Sequence, residues 1–190
     1  MEDTLSDLRR HVLDDAVELL ETLGVVEPLA TSANVVSPGH LLLRRLLTRH
    51  VLLVLTRLHA RKGKGPSGLT ASIDGVLEAA QVSQLSRAQV DSFGNRREAL
   101  KAETEREGVW FEDIHFFRTT ELAHSIHAPG SMRAKLPWNV IYPFATGTYD
   151  LVREIESALV SAGAPVICDL PPSTTKCDEW AANGRDLWRI

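Results

Sequence analysis

The chain has few cysteines and no long apolar run that is free of charge. Cys168 and Cys177 are the only cysteines in 190 residues, and their nine-residue separation matches neither a disulfide framework nor a CxxC metal knuckle. We therefore expect both thiols to be reduced. The N-terminus, MEDTLSDLRRHVLDD, is acidic and polar, whereas a secretory signal would be cationic and then apolar. The sequence thus predicts a cytoplasmic protein with no membrane span.

Acidic residues are missing between Glu27 and Asp74, although the whole chain has a net charge of -4. That overall charge disfavours a general nucleic-acid coating protein, which would usually be basic. The window itself is locally basic. Its Lys and Arg residues are Arg44, Arg45, Arg49, Arg57, Arg61, Lys62 and Lys64.

Two interpretations of this basic window remain open. The cations could pair with acidic residues elsewhere in the chain, such as Asp14, Asp15, Glu18 and Glu21. Alternatively they could face phosphates, because phosphate contacts supply most sequence-independent affinity for RNA. On the second interpretation the candidate RNA-binding residues are Arg57, Arg61, Lys62 and Lys64.

The sequence also lacks an internal repeat and has little alternation of polar and apolar residues, which disfavours β-sheet and repeat architectures. Apolar residues recur with the helical period instead. We predict an all-α protein, an up-and-down bundle of four to six helices over residues 1–162. Residues 163–190, rich in Pro and Trp, are predicted to form an irregular tail that docks on the bundle.

Local signals give approximate helix limits. The first helix is expected over Thr4 to Leu23, closed by Gly24 and followed by a loop through Pro28. Ser37 is expected to cap a second helix that begins at Pro38 and continues to about Arg61.

Three further helices are expected. A short one should run from Leu69 or Thr70 to Ala80, and another from Ser83 or Ser86 to Arg106 with a possible break at 93–95. After an ordered, proline-rich loop over 129–144, Thr148 is expected to cap a last helix that ends at Ala162.

The remaining helical stretch, Phe111 to Pro129, carries the residues best suited to chemistry. Its apolar side includes an arginine, Arg118. A cation would ordinarily lie on the solvent-exposed face of such a helix. Glu121 follows Arg118 at i+3 and His124 follows Glu121 at i+3, so the three side chains form a diagonal ridge across the helix.

The segment FFRTTELAH, with an arginine and a histidine separated by five residues on a helix, resembles the R-x4-6-H signature of the HEPN superfamily. Residues 41–81 resemble the AbiU-type abortive-infection branch. The resemblance implies a HEPN-like bundle and a metal-independent endoribonuclease, a toxin or phage-defence effector. It also implies a homodimer in which both motifs share a cleft. Arg118 and His124 match the catalytic arginine and histidine of the motif.

This pair suits RNA cleavage by the substrate's own 2′-hydroxyl. Histidine can move a proton near neutral pH, and arginine can hold the charge on a phosphate with two parallel hydrogen bonds. No metal or cofactor is expected. The expected partners are RNA, with tRNA as one candidate, a second copy of the chain, and an antitoxin or defence-system protein.

The neighbours of the motif differ from those of many active members. Thr119 follows the arginine where Asn, Asp or His is common, and Ile126 occupies the position at which some toxins have a modified tyrosine. Thr119, Glu121 and His127 are candidates for supporting roles beside Arg118 and His124. Two alternatives remain: a catalytically silent HEPN-like module that binds RNA, nucleotide or protein, and a structural helical protein whose ridge is a salt bridge at a subunit contact.

Overall fold

The predicted fold class is confirmed: the protein is all-α. A computed structural model describes residues 2–31, 38–60, 71–108 and 137–173, and within those ranges it contains five helices and no strand. Their bounds are α1 Glu2–Thr31, α2 Pro38–Leu58, α3 Ile73–Ser83, α4 Arg87–Arg106 and α5 Trp138–Ser161.

Helix α1 is longer than predicted, because neither Gly24 nor Pro28 ends it. Gly24 is buried within the helix. Pro28 has no N–H, so it cannot donate the helical hydrogen bond to the carbonyl of Gly24. Val26 is fully buried between them. Burial of a valine side chain contributes about 1.5 to 3 kcal/mol, whereas a glycine inside a helix costs about 1 kcal/mol. Tertiary packing therefore overrides the local stop signal.

The starts of α2 and α4 agree with their predicted positions, whereas α3 begins at Ile73, three to four residues later than predicted. Pro38 is the first residue of α2, as predicted, although α2 ends at Leu58 and does not reach Arg61. The hydroxyl of Ser72 accepts from the amide of Gly75 and caps α3. Ser86 and Gln89 form a reciprocal capping box at the start of α4, which then runs through Gly94 without a break.

Helix α5 begins eleven residues earlier than predicted, so the expected loop and the expected Thr148 cap are wrong in this region. The helix starts at Trp138 and continues through Pro143. Pro143 and Asn139 are both exposed, so the carbonyl that loses its helical donor can be solvated. The opposite side of these turns is apolar and buried, and it consists of Val140, Ile141, Phe144 and Ala145.

The five helices surround one hydrophobic core. Helix α1 packs against α2, α3 and α5, and α4 packs against α3 and α5. Two ion pairs show that α1 is antiparallel to its larger neighbours: Arg57 of α2 reaches Asp15, and Glu156 of α5 reaches Arg9. Helices α2 and α5 therefore run in the same direction.

Residues that follow α5 lie against the bundle as far as Ser173. Arg9 joins them to the core, since its Nη2 donates to Glu156 Oε1 at 2.6 Å and to the carbonyl of Pro165 at 2.8 Å. The Tyr149 hydroxyl donates to the carbonyl of Pro171 at 2.7 Å, and Leu170 is buried in the core. This segment thus covers α5 through both apolar and hydrogen-bonded contacts.

Candidate functional site

Most of the predicted site residues lie outside the described part of the chain. Residues 109–136 include Arg118, Thr119, Glu121, His124 and His127, and residues 61–70 include Arg61, Lys62 and Lys64. Of the predicted site residues, Arg57 is the one whose contacts the structure gives. The structure does describe the residues on both sides of each of these two segments.

The described residues on either side of 109–136 lie at the same end of the bundle, because α4 and α5 are antiparallel. Arg96 of α4 pairs with Glu154 of α5, and Leu100 lies against Gly147 one turn further along α4. A Cβ added to Gly147 would lie 2.7 Å from Cδ2 of Leu100, so the two helices approach closely there. The C-terminus of α4 and the N-terminus of α5 therefore meet at one end of the bundle.

The N-terminal turns of α2 lie at the end of the bundle where α5 begins. Both α2 and α5 run antiparallel to α1, as the Arg57–Asp15 and Arg9–Glu156 pairs show. Near the C-terminal end of α2, His59 lies beside Thr148 of α5, with 2.9 Å between Nε2 and Oγ1.

The N-terminal turns of α2, residues 38–48, are basic and partly exposed. Arg44 and Arg45 are exposed, and Leu42 and Leu46 have 59% and 50% of their surface accessible. These turns contain no acidic residue, and they lie at the same end of the bundle as the start of α5.

Further along α2, polar side chains are already paired within the molecule. Arg57 Nη2 lies 2.7 Å from Asp15 Oδ1 and 2.5 Å from Glu18 Oε2, and His50 Nε2 lies 2.8 Å from Glu18 Oε1. Burial raises the pKa of the Asp15 carboxyl, although the Arg57 guanidinium acts in the opposite direction. For Arg57, the structure thus shows the pairing with α1 that was the alternative to RNA binding.

A buried histidine forms the centre of a second polar group. His59 is fully buried, and its ring stacks on Phe144 with 5.0 Å between centroids. Thr148 has one hydroxyl proton, which it donates to the carbonyl of Phe144 at 2.7 Å. Its oxygen must therefore accept from His59, and we assign His59 the tautomer protonated on Nε2.

His59 is neutral at ordinary pH. Burial, reinforced by the positive charges of Lys101 and Arg97, lowers the pKa of its imidazole from 6.5 to about 3. A general base is most effective when its pKa lies near the working pH. His59 is therefore suited to a place in the core and poorly suited to proton transfer near pH 7.

The cations near His59 are balanced by carboxylates. Arg97 pairs with Asp74 and Glu98, and Lys101 Nζ lies 3.2 Å from Glu98 Oε1. Burial, followed by repulsion from Arg97, lowers the pKa of the Lys101 amine. Burial alone would raise the pKa of Glu98, but Arg97 and Lys101 together lower it. The group contains two cations and two carboxylates, so it has no net positive charge with which to bind an anion.

Sequence reasoning did not find this buried polar group. His59 follows Leu55 at i+4 and Leu52 at i+7, so the periodicity of α2 assigns it to the apolar face. Its partner, Thr148, was predicted to cap α5 because the predicted start of that helix was too late in the chain. With α5 begun at Trp138, the periodicity of its apolar residues would have assigned Thr148 to the core face.

Neither metal sites nor membrane spans are found in the described ranges. No group of three or more His, Cys, Asp or Glu residues there is arranged to hold a metal ion. No helix in those ranges has both the length and the apolar character needed to cross a membrane. No protein-family model, curated protein or solved structure matches this chain.

Proposed function

We propose that this protein is a metal-independent endoribonuclease of HEPN type that cleaves RNA by attack of the 2′-hydroxyl. Arg118 and His124 are the proposed catalytic residues, and Thr119, Glu121 and His127 support them. The protein acts in the cytoplasm as a toxin or phage-defence effector, with an antitoxin or defence-system protein as its partner. The observation that carries this proposal is the motif FFRTTELAH within an all-α bundle.

The described framework is compatible with this proposal in two respects. Residues 108 and 137, which flank the segment that contains the motif, lie at one end of the bundle. The N-terminal turns of α2 lie at the same end and present exposed arginines. A cationic surface beside a phosphodiester-cleaving group would hold the substrate backbone.

The proposed reaction needs one proton carrier and one charge-stabilising group. As the 2′-hydroxyl attacks phosphorus, its proton is removed, and the departing 5′-oxygen must gain a proton. Arg118 stabilises the negative charge on the phosphate oxygens, and His124 transfers protons. The products are a 2′,3′-cyclic phosphate, which can hydrolyse to a 3′-phosphate, and a 5′-hydroxyl. A homodimer would supply two such pairs to one cleft.

Cleavage assays in EDTA test this proposal. Purified protein is incubated with total RNA, with tRNA and with DNA of matched sequence, and the product ends are identified. Wild type should cleave RNA and leave DNA intact, because DNA has no 2′-hydroxyl. Arg118→Ala and His124→Ala should each reduce the rate about 10²-fold or more, the usual contribution of such groups.

His115→Ala serves as the matched control, since it removes a histidine from the same segment without touching the motif. It should keep near wild-type activity. Loss of cleavage in EDTA, 5′-phosphate products, or full activity of His124→Ala would contradict the mechanism. Light scattering that shows a monomer at micromolar concentration would contradict the shared cleft.

Thr119 favours one second candidate, a catalytically silent HEPN-like module, because threonine is a weaker polar group than the residues common at that position. The same arginine and histidine would then bind the phosphates of RNA or nucleotide, or contact a partner protein. RNA binding by the wild type without cleavage of any RNA would favour this candidate over the endoribonuclease.

A further inference from the structure

The buried face of α4 is polar, whereas every other described helix buries leucine, valine or isoleucine side chains. Three residues of α4 are buried, and they are Arg97, Lys101 and Thr104. They lie at i, i+4 and i+7, on the stripe that is apolar in an ordinary amphipathic helix. The apolar side chains of α4 that pack against the core are only half-buried, and they are Val90, Phe93 and Leu100. Docking of α4 therefore removes less apolar surface from water than docking of α5 does.

Ion pairs join α4 to both of the helices against which it packs. Arg97 pairs with Asp74 of α3, and Arg96 pairs with Glu154 of α5. Both Arg96 and Glu154 remain partly exposed, and ion pairs of that kind contribute little to stability. Burial is the largest cause of the lowered pKa of the Lys101 amine, so its charged form is less favourable in the folded protein than in water. The polar stripe thus adds little net free energy to the docking of α4.

Gly94 lies in the middle of α4 and weakens the helix further. Glycine costs more conformational entropy in a helix interior than alanine does. A Cβ added at Gly94 would have none of the described heavy atoms within 4 Å, so packing against the described residues does not require a glycine there. By contrast, a Cβ added at Gly147 of α5 would lie 2.7 Å from Cδ2 of Leu100. Helix α4 is therefore weak both in itself and in its contacts.

We propose that α4 undocks from the bundle as a single unit while the other described helices stay folded. Helices α1, α2, α3 and α5 supply most of the buried apolar side chains, so the core remains when α4 leaves. Proteins open locally in cooperative units of this kind, and such units have few buried apolar contacts. Because α4 ends at Arg106, close to the start of the segment that contains the motif, its opening displaces one end of that segment. The opening is a property of the fold and does not depend on RNA cleavage.

Native-state hydrogen exchange of the 190-residue chain tests this proposal. Amide exchange is followed by NMR near neutral pH, without RNA, in increasing sub-denaturing concentrations of urea. Amides in the middle of α4 should be at least about ten-fold less protected than the most protected amides of α1 and α5. Their protection should also depend less on urea, because undocking one helix exposes less surface than global unfolding. Equal protection in α4 and α5, with an equal dependence on urea, would overturn the proposal.

Gly94→Ala distinguishes the undocking of a unit from independent fluctuations of single turns. It should raise the protection of α4 amides on both sides of Gly94 by the same factor, about five-fold, because alanine has the higher helix propensity. An increase confined to the turn around Gly94 would contradict opening as a unit.

Leu19→Ala separates the undocking of α4 from global unfolding. Leu19 is fully buried in α1, which packs against α2, α3 and α5, so it stays buried when α4 opens. Its replacement should lower the protection of α1 and α5 amides about ten-fold or more and leave that of α4 unchanged. Leu46→Ala is the matched control, since Leu46 is 50% exposed, and it should change neither.

A parallel loss of protection in α1, α4 and α5 of Leu19→Ala would mean that α4 opens only when the whole protein unfolds, and the proposal would be wrong. If Leu19→Ala does not fold, the urea dependence of the wild type decides between the two. Because these measurements contain no RNA, their outcome is independent of whether the protein is a nuclease.

Discussion

The two halves of α2 have similar compositions and different environments. Both contain leucines interrupted by arginines. In the C-terminal half, Val51, Leu55 and Leu58 are buried, and Arg57 is paired with carboxylates of α1. In the N-terminal half, Leu42 and Leu46 are exposed beside Arg44 and Arg45.

This comparison shows that composition does not determine the role of a residue along α2. An arginine stabilises the fold where α1 supplies a carboxylate, as at Arg57, whereas Arg44 and Arg45 are exposed to solvent. Likewise a leucine contributes to the core only where α1 and α5 cover it. The contrast between the two halves can be tested by making the same substitution in each.

The largest expected difference is between two leucines on α2. Leu55→Ala should lower the free energy of unfolding by about 2 to 5 kcal/mol, because it removes a fully buried side chain and leaves a cavity. Leu46→Ala, at a position with 50% exposure, should change it by less than about 0.5 kcal/mol. Chemical denaturation of both variants measures the difference. Similar losses would mean that the N-terminal turns of α2 are covered in solution.

The next effect concerns pH and His59. The pKa of this imidazole is lowered from 6.5 to about 3 in the folded protein, so the unfolded chain binds more protons between these values. Stability is therefore complete above pH 6.5 and decreases on acidification, by about 1.4 kcal/mol per pH unit from this residue. Between pH 6.5 and 5 the loss should approach about 2 kcal/mol.

His59→Leu isolates this contribution from that of the carboxylates. The variant should show a flatter dependence of unfolding free energy on pH between 8 and 5, whatever its stability at pH 8. His11→Leu is the control, since His11 is exposed on α1. An unchanged slope in His59→Leu would show that the imidazole is not held neutral in the core.

The smallest difference is expected between two arginines of α2. Arg57→Gln leaves the half-buried Asp15 carboxylate without its guanidinium partner, and should cost about 1 to 2 kcal/mol of unfolding free energy. Arg44→Gln should change stability by less than about 0.5 kcal/mol. Thermal melts at low and high salt measure both. An equal loss in the two variants would remove the distinction between the two ends of α2.

The sequence predicted the fold class and several helix starts because those depend on neighbouring residues. Proline is favoured at the first position of a helix, and Pro38 begins α2. Ser86 and Gln89 form the capping box of α4 within one turn of the chain. The periodic leucines of α1 likewise require a buried helical face. For the candidate site, the sequence supplied the motif at Arg118 and His124 and the extent of the basic window.

The tertiary structure decided where local signals would be overruled. Gly24, Pro28 and Pro143 all lie inside helices, because packing of Val26 and of the first turns of α5 outweighs the loss of a backbone hydrogen bond. It also decided that Arg57 meets carboxylates of α1 while Arg44 does not. Such partners are far apart in the chain, and only the antiparallel packing of α1 against α2 brings these charges together.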